Sequence, residues 1–243
     1  MRYSTSTREA SGILVRDVTK SYGSLKAVSS LNLDIECGTF LTLFGPNGAG
    51  KTTLIRMLAV LTRPSSGSIS VLGHDALKEP NSVRAITGVI SHDPYLYPSL
   101  TALENIAFFA KMQGVRKPKD RAQEVIAMVG LESRMNDLVR SFSRGMQQRL
   151  AVARAIVNDP MVLLLDEPYA GLDQHGVELF SGLLRWLKDK RRTIIMTTHN
   201  VSEGLGISDR VVIMNGGRIV YDTMESNIGA AEFREIYLEM VRG

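Results

Sequence analysis

The segment Gly45-Pro46-Asn47-Gly48-Ala49-Gly50-Lys51-Thr52 constrains this chain more than any other. It follows the apolar run Phe40–Phe44, which reads as a buried strand, and it opens Lys51–Leu61, which reads as a helix. Glycines at this density let backbone N–H groups converge on one point at a helix N-terminus, a geometry that holds a phosphate. In the pattern G-x-x-x-x-G-K-[ST], the lysine reaches the outer phosphates and the hydroxyl, here that of Thr52, ligates Mg²⁺. Ordinary residue frequencies give on the order of 0.01 chance matches in a chain of this size. The loop, taken with Thr53 beside it, predicts binding of a nucleoside triphosphate.

The elements around it alternate between strand and helix. Strands are expected at Ile13–Val18, Val28–Ile35, Ser68–Leu72, Ala85–Ser91, Met161–Leu165, Thr193–Thr197, Arg210–Met214 and Arg218–Tyr221. Leu31-Asn-Leu-Asp-Ile35 alternates apolar and polar residues, as a half-buried antiparallel strand does. Asn215-Gly216-Gly217 is a hairpin signal, and Glu36-Cys37-Gly38 reads as another hairpin turn. Helices are expected at Ala102–Gln113, Pro118–Val129, Met135–Val139, Arg144–Val157 and Gly176–Lys188, with an amphipathic one at Ala230–Val241. This order predicts an α/β fold, a mainly parallel sheet with helices. Antiparallel strands come near its N-terminal end, and a helical subdomain is inserted at 93–145. The remaining segments, 12–92 and 146–243, form the core.

A second element supports nucleotide chemistry. Met161–Leu165 is an apolar strand that delivers Asp166-Glu167 at its C-terminal edge, where open α/β sheets bind ligands. Asp166 is placed to hold Mg²⁺, and Glu167 to polarise a water for attack on the γ-phosphate.

Composition narrows the remaining classes. With 44% hydrophobic residues in 243, the chain has enough for a core, so disorder is excluded as its main state. Its longest apolar runs, such as Ile106–Ala110, are five residues, far short of the roughly 20 a spanning helix needs. Met1–Ser11 is polar and is expected to carry no secretion signal. The single cysteine, Cys37, permits no internal disulfide, so a cytoplasmic location is expected. The net charge of +4 is modest. The basic runs at 116–121 and 188–192 read as solvated helix ends and lack the interleaved aromatics of a single-strand platform. No nucleic-acid partner is expected.

Further motifs carry a resemblance over nearly the whole chain. Phe142-Ser143-Arg144-Gly145-Met146-Gln-Gln-Arg149 resembles the signature of ATP-binding cassette (ABC) ATPases. Ala170-Gly171-Leu172-Asp173 resembles their dimer-coupling D-loop, Thr198-His199 their switch histidine, and Tyr22 in Lys20-Ser-Tyr-Gly23 the aromatic that stacks on adenine. The resemblance implies a P-loop NTPase core with an N-terminal antiparallel β subdomain and the helical insertion, and an ATP hydrolase using ATP and Mg²⁺. Glu167 and His199 would be catalytic. Ser143 and Gly145 would face the ATP held by a second ATPase subunit, giving a sandwiched homodimer. Closure of that dimer would drive separate integral membrane subunits from the cytoplasmic face of the inner membrane.

Two departures from the family pattern stand out, at the signature and at His92. The signature carries Phe142, Arg144 and Met146 in place of the commonest residues, and Arg144 either approaches the partner's phosphates or points to solvent. His92 stands where the family usually has a glutamine that touches Mg²⁺; it is either a metal-side residue or an ordinary strand-end residue. Segments 91–97, 142–149 and 166–173 resemble haem exporter ATPases of cytochrome c maturation, so that export is the expected cargo pathway. The alternatives are another exporter ATPase of drugs, lipids or polysaccharides, and a soluble non-transport ABC ATPase. The apolar residues Tyr95, Leu96, Tyr97, Leu100, Phe108 and Phe109 either form a groove for the membrane subunit or pack within the helical subdomain.

Overall fold

Side-chain alternation along five parallel strands sorts most of the core. A computed structural model describes residues 11–91, 93–190, 192–224 and 228–242. In chain order its elements are β1 (Ser11–Tyr22), β2 (Leu25–Glu36), β3 (Phe40–Phe44), α1 (Lys51–Leu58), β4 (Ser66–Val71), β5 (His74–Asp75), α2 (Pro80–Ile86), β6 (Thr87–Ile90), α3 (Ala102–Met112), α4 (Pro118–Met128), α5 (Arg144–Ile156), β7 (Val162–Asp166), α6 (Gln174–Asp189), β8 (Thr193–Thr197), α7 (Val201–Leu205), β9 (Arg210–Asn215), β10 (Arg218–Thr223) and α8 (Ala230–Arg242).

The strands form two sheets, one ordered β2-β1-β4-β5 and antiparallel throughout, the other ordered β10-β9-β3-β8-β7-β6. In the second, β9, β3, β8, β7 and β6 run parallel and β10 closes one edge antiparallel. Leu41, Leu43, Leu164, Ile195, Val212 and Met214 face the antiparallel sheet and α1. Their neighbours Phe40, Leu163, Leu165, Ile194 and Met196 face the helical side with α3–α6. Phe44, Val211 and Ile213, on that second face, pack with α7 and α8. Burial on both faces is why these strands read as unbroken apolar runs.

Local chemistry sets the helix starts. Thr101 and Glu104 form a reciprocal capping box on α3, Pro118 opens α4, and the Ser143 and Asp173 side chains cap α5 and α6. The predicted alternation at Leu31–Ile35 is present, with Asn32 and Asp34 outward and the apolar residues buried.

Several expectations change. Ala85–Ser91 divides between the end of α2 and β6, because Pro80 opens a helix that the apolar run concealed. Met135–Val139 is not a helix; Met135–Leu138 links two short 3₁₀ turns, 132–134 and 139–141, and Leu138 bridges to Thr101. The helix predicted to reach Leu61 stops at Leu58, with Val60 at φ +56°. The turn at Glu36–Gly38 exists, but it carries the chain from one sheet to the other and makes no hairpin, since β2 and β3 do not pair.

Candidate nucleotide site

The phosphate-type loop occupies the C-terminal end of β3. Gly45, Gly48 and Gly50 all have positive φ, and Gly50 is the residue that caps α1. At Gly45 a Cβ would collide with the Met214 carbonyl, and at Gly50 with the Ala27 carbonyl, so the strands beside the loop admit no side chain there. The loop is tied to the β9–β10 turn by a hydrogen bond from Gly217 N to Ala49 O (3.0 Å). Asn47 and Gly48 are exposed, Pro46 half-buried and Ala49 buried, so the tip of the loop is open to solvent over a packed base.

Lys51 is 5% exposed. Its Nζ donates to Gly45 O (2.6 Å) and Pro46 O (3.2 Å) and lies 3.7 Å from Glu167 Oε1. Burial pulls its pKa below the usual lysine range, and the charges of Glu167 and Asp166 oppose that shift. One carboxylate oxygen, Asp166 Oδ1, accepts from Thr52 Oγ1 (3.1 Å) and Thr197 Oγ1 (2.7 Å). Thr53, the next residue of α1, is half-buried.

Glu167 has φ +50°, a left-handed conformation uncommon outside glycine. It is held there by its own N–H, which donates to both Thr197 Oγ1 (3.0 Å) and Thr197 O (3.2 Å). Strain of this kind persists where surrounding structure over-determines it. The result aims Glu167 at His199, whose Nδ1 lies 2.9 Å from Glu167 Oε2. Glu203, on α7, lies in the same field: burial raises its pKa, the His199 ring lowers it, and the Glu167 charge raises it.

Sequence reasoning passed over Thr197, Glu203 and Tyr237. Thr197 is fully buried at the end of an apolar strand, and that polar residue inside an apolar run was the available signal. Glu203 and Tyr237, whose pKa is raised by burial and by the Glu167 charge, are joined to the site only by tertiary packing.

The structure brings the loop, Asp166, Glu167 and His199 together. Tyr22 ends β1, half-exposed, with Lys20 Nζ 4.9 Å from its ring centroid. Ser143 and Gly145 lie elsewhere: with Arg144, Gly171, Leu172 and Asp173 they line a cavity of about 240 Å³ to which no residue of the phosphate-type loop contributes. Arg144 runs beside Gly171, where a Cβ would meet its Nε at 3.7 Å. Ala170 N donates to Glu167 O (3.1 Å), so this turn continues directly from Glu167. The expectation for His92 falls outside the described residues.

A buried ammonium, a hydroxyl, two carboxylates and an imidazole on one sheet edge suit transfer of a phosphoryl group to water. The oxygens of Thr52 and Asp166 are hard donors that fit Mg²⁺, which keeps waters and phosphate oxygens in its shell. Among the described residues no group of three or more His, Cys, Asp or Glu forms an all-protein metal cage.

Residues 28–170 match the model of the ABC transporter family. The chain belongs to that family as its ATPase. It is an ATP-binding, ATP-hydrolysing transport ATPase on the fold expected of an ABC cassette. The ABC transporter ATP-binding protein NatA of Bacillus subtilis (strain 168) is 37% identical over 200 residues, covering 81% of each chain. The Fe(3+) ions import ATP-binding protein FbpC 1 of Rhizobium meliloti (strain 1021) is 38% identical over 213 residues. That match covers 86% of this ABC ATPase and 60% of the longer relative. The ATP-binding cassette MJ0796, solved as a dimer in a post-hydrolysis state with ADP and Pi, superposes with a TM-score of 0.80 at 28% identity. The alignment covers 87% of this chain and 98% of that one. Among the described residues no helix is long and apolar enough to cross a membrane.

Proposed function

We propose that this ABC ATPase hydrolyses ATP at composite sites built by two copies of the chain, and that closure of the pair drives separate integral membrane subunits at the cytoplasmic face of the inner membrane. The observation that carries this reading is that Ser143 and Gly145 line a cavity with Arg144, Gly171, Leu172 and Asp173 to which no residue of the phosphate-type loop contributes. A signature displayed beside Ala170–Asp173, away from its own loop, is suited to a neighbour's nucleotide. The unit would divide into a core of 12–92 and 146–243 and a helical signature subdomain of 93–145.

Position supports each role in this reading. Tyr22 offers a ring for adenine, and Gly45–Thr53 cradle the phosphates with Lys51 as their cation. Thr52 and Asp166 would hold Mg²⁺, which would neutralise phosphate charge. Glu167 accepts a proton as the water oxygen attacks the γ-phosphorus, the bond to the ADP oxygen breaks, and phosphate leaves. His199 holds Glu167 and the γ-phosphate side in one geometry. Tyr95 and Tyr97, both exposed, form with Phe108 and Phe109 an aromatic patch underlain by Arg154, the surface offered to the membrane subunit.

The finer assignment is haem export in cytochrome c maturation, carried by segments 91–97, 142–149 and 166–173. It is tested by purifying tagged Glu167→Gln with ATP from native membranes and identifying the proteins recovered. Multi-span proteins of cytochrome c maturation are the expected result. A different permease would keep the transport ATPase and discard haem, and no membrane protein would point to a soluble ABC ATPase.

A further inference from the structure

The segment that follows the switch histidine is too short to hold itself. α7 has five residues, capped where Asn200 Oδ1 accepts from Ser202 N (3.1 Å). A helix of that length has no stability of its own, so its placement comes from packing. Gly204 on α7 sits directly on Phe44, where a Cβ would collide with the ring. Its carbonyl accepts from Thr42 Oγ1 (3.3 Å) and from the Ser208 hydroxyl. Phe44 is the last residue before the phosphate-type loop, and it is fully buried.

Phe44 also meets Phe233 of α8, with ring centroids 4.8 Å apart at 54°. Phe233 is fully buried and packs edge-on to Tyr221 at 6.4 Å. The far end of α8 is fastened by Asn215 Nδ2, which donates to Met240 O (3.1 Å). Asn215 ends β9, beside the Met214 carbonyl that abuts Gly45 and the turn that binds Ala49. α8 therefore bears both on α7, which follows His199, and on the end of β9 beside the phosphate-type loop. Tyr237, one turn beyond Phe233, already feels the Glu167 charge.

We propose that Phe233 is a positioning residue for His199, acting through Phe44 and Gly204 to set where α7 begins. The inference rests on the role proposed for His199. Without the Phe233 ring, Phe44 loses a partner and α7 can settle toward the space left, taking the His199–Glu167 contact out of line. Displacements of about 1 Å far from the chemistry cost up to about 100-fold in rate.

The test measures single-turnover phosphate release, ATP affinity and thermal midpoint for Phe233→Leu and Asn215→Ala, each alone and combined with His199→Ala. Asn215→Ala loosens α8 without opening the core, so it carries the test should Phe233→Leu fail to fold. The expected result is a roughly threefold to tenfold fall in rate with ATP affinity kept within about twofold, and no further fall in the His199→Ala background. An unchanged rate would overturn the inference. So would a fall of the same size with and without His199, since that is what loss of general stability produces. His199→Ala turning over at the wild-type rate would remove the role of His199 and the inference with it.

Discussion

His199 Nδ1 lies 2.9 Å from Glu167 Oε2, yet the histidine is 67% exposed and the glutamate 21%. The pair thus spans the boundary between the packed sheet edge and an open face, with the carboxylate fixed from below and the imidazole presented to whatever closes above. In the proposed mechanism, a carboxylate anchored in this way would receive a proton only when the site is completed from outside. Replacing His199 with alanine is expected to lower the rate by about 10²-fold with ATP affinity nearly unchanged, measured by phosphate release and nucleotide titration.

Thr197 connects the two acids. Its hydroxyl donates to Asp166 Oδ1 and accepts from Glu167 N. Thr197→Val keeps the volume and removes both bonds, so it should cost about 1–3 kcal/mol of stability and lower turnover as well. Denaturant unfolding and ATPase assays check the two effects; a loss of stability with full turnover would contradict the linkage.

Lys51 is the cation of the loop, held by Gly45 and Pro46 carbonyls. Lys51→Ala should weaken ATP binding itself by at least about tenfold, the loss expected for charge-assisted bonds to phosphate. Equilibrium binding of ATP decides it, and wild-type affinity would contradict it.

Glu203 makes a pH prediction. Burial raises its folded pKa above the unfolded value, with Glu167 adding and His199 opposing. A group with a raised folded pKa supports the fold below its unfolded pKa, and that contribution is lost as pH rises through the folded pKa. Glu203→Gln removes this dependence, so its gain in thermal midpoint should be larger at about pH 8 than at about pH 4. Equal gains at both would show that Glu203 titrates as an ordinary surface acid.

How much of this was legible depends on how local the cause is. The phosphate-type loop, the Asp166-Glu167 edge and the parallel strands could be read because each is written in consecutive residues: glycines at required positions, then apolar runs with acids at the end. His199 could be read by its place at the end of β8. Thr197 was hidden inside the strand it terminates, and Glu203 and Tyr237 reach the site only after α7 and α8 fold over Phe44. α2 was masked because Ala85 and Ile86, at its C-terminal end, read as the start of the strand expected at Ala85–Ser91. The stretch Met135–Val139 has helix-compatible residues, but its backbone is used to bond Leu100, Ala102 and Leu103, which prevents a continuous helix.

The most direct measurement of the central claim is the molecular mass of Glu167→Gln by size exclusion with and without ATP, alongside its rate of phosphate release. ATP should double the mass while phosphate release falls by about 10²-fold or more, because under the proposed function the composite site would close without Glu167 to act as its base. A monomer that stays monomeric with ATP bound, or a Glu167→Gln protein that hydrolyses at the wild-type rate, would contradict it.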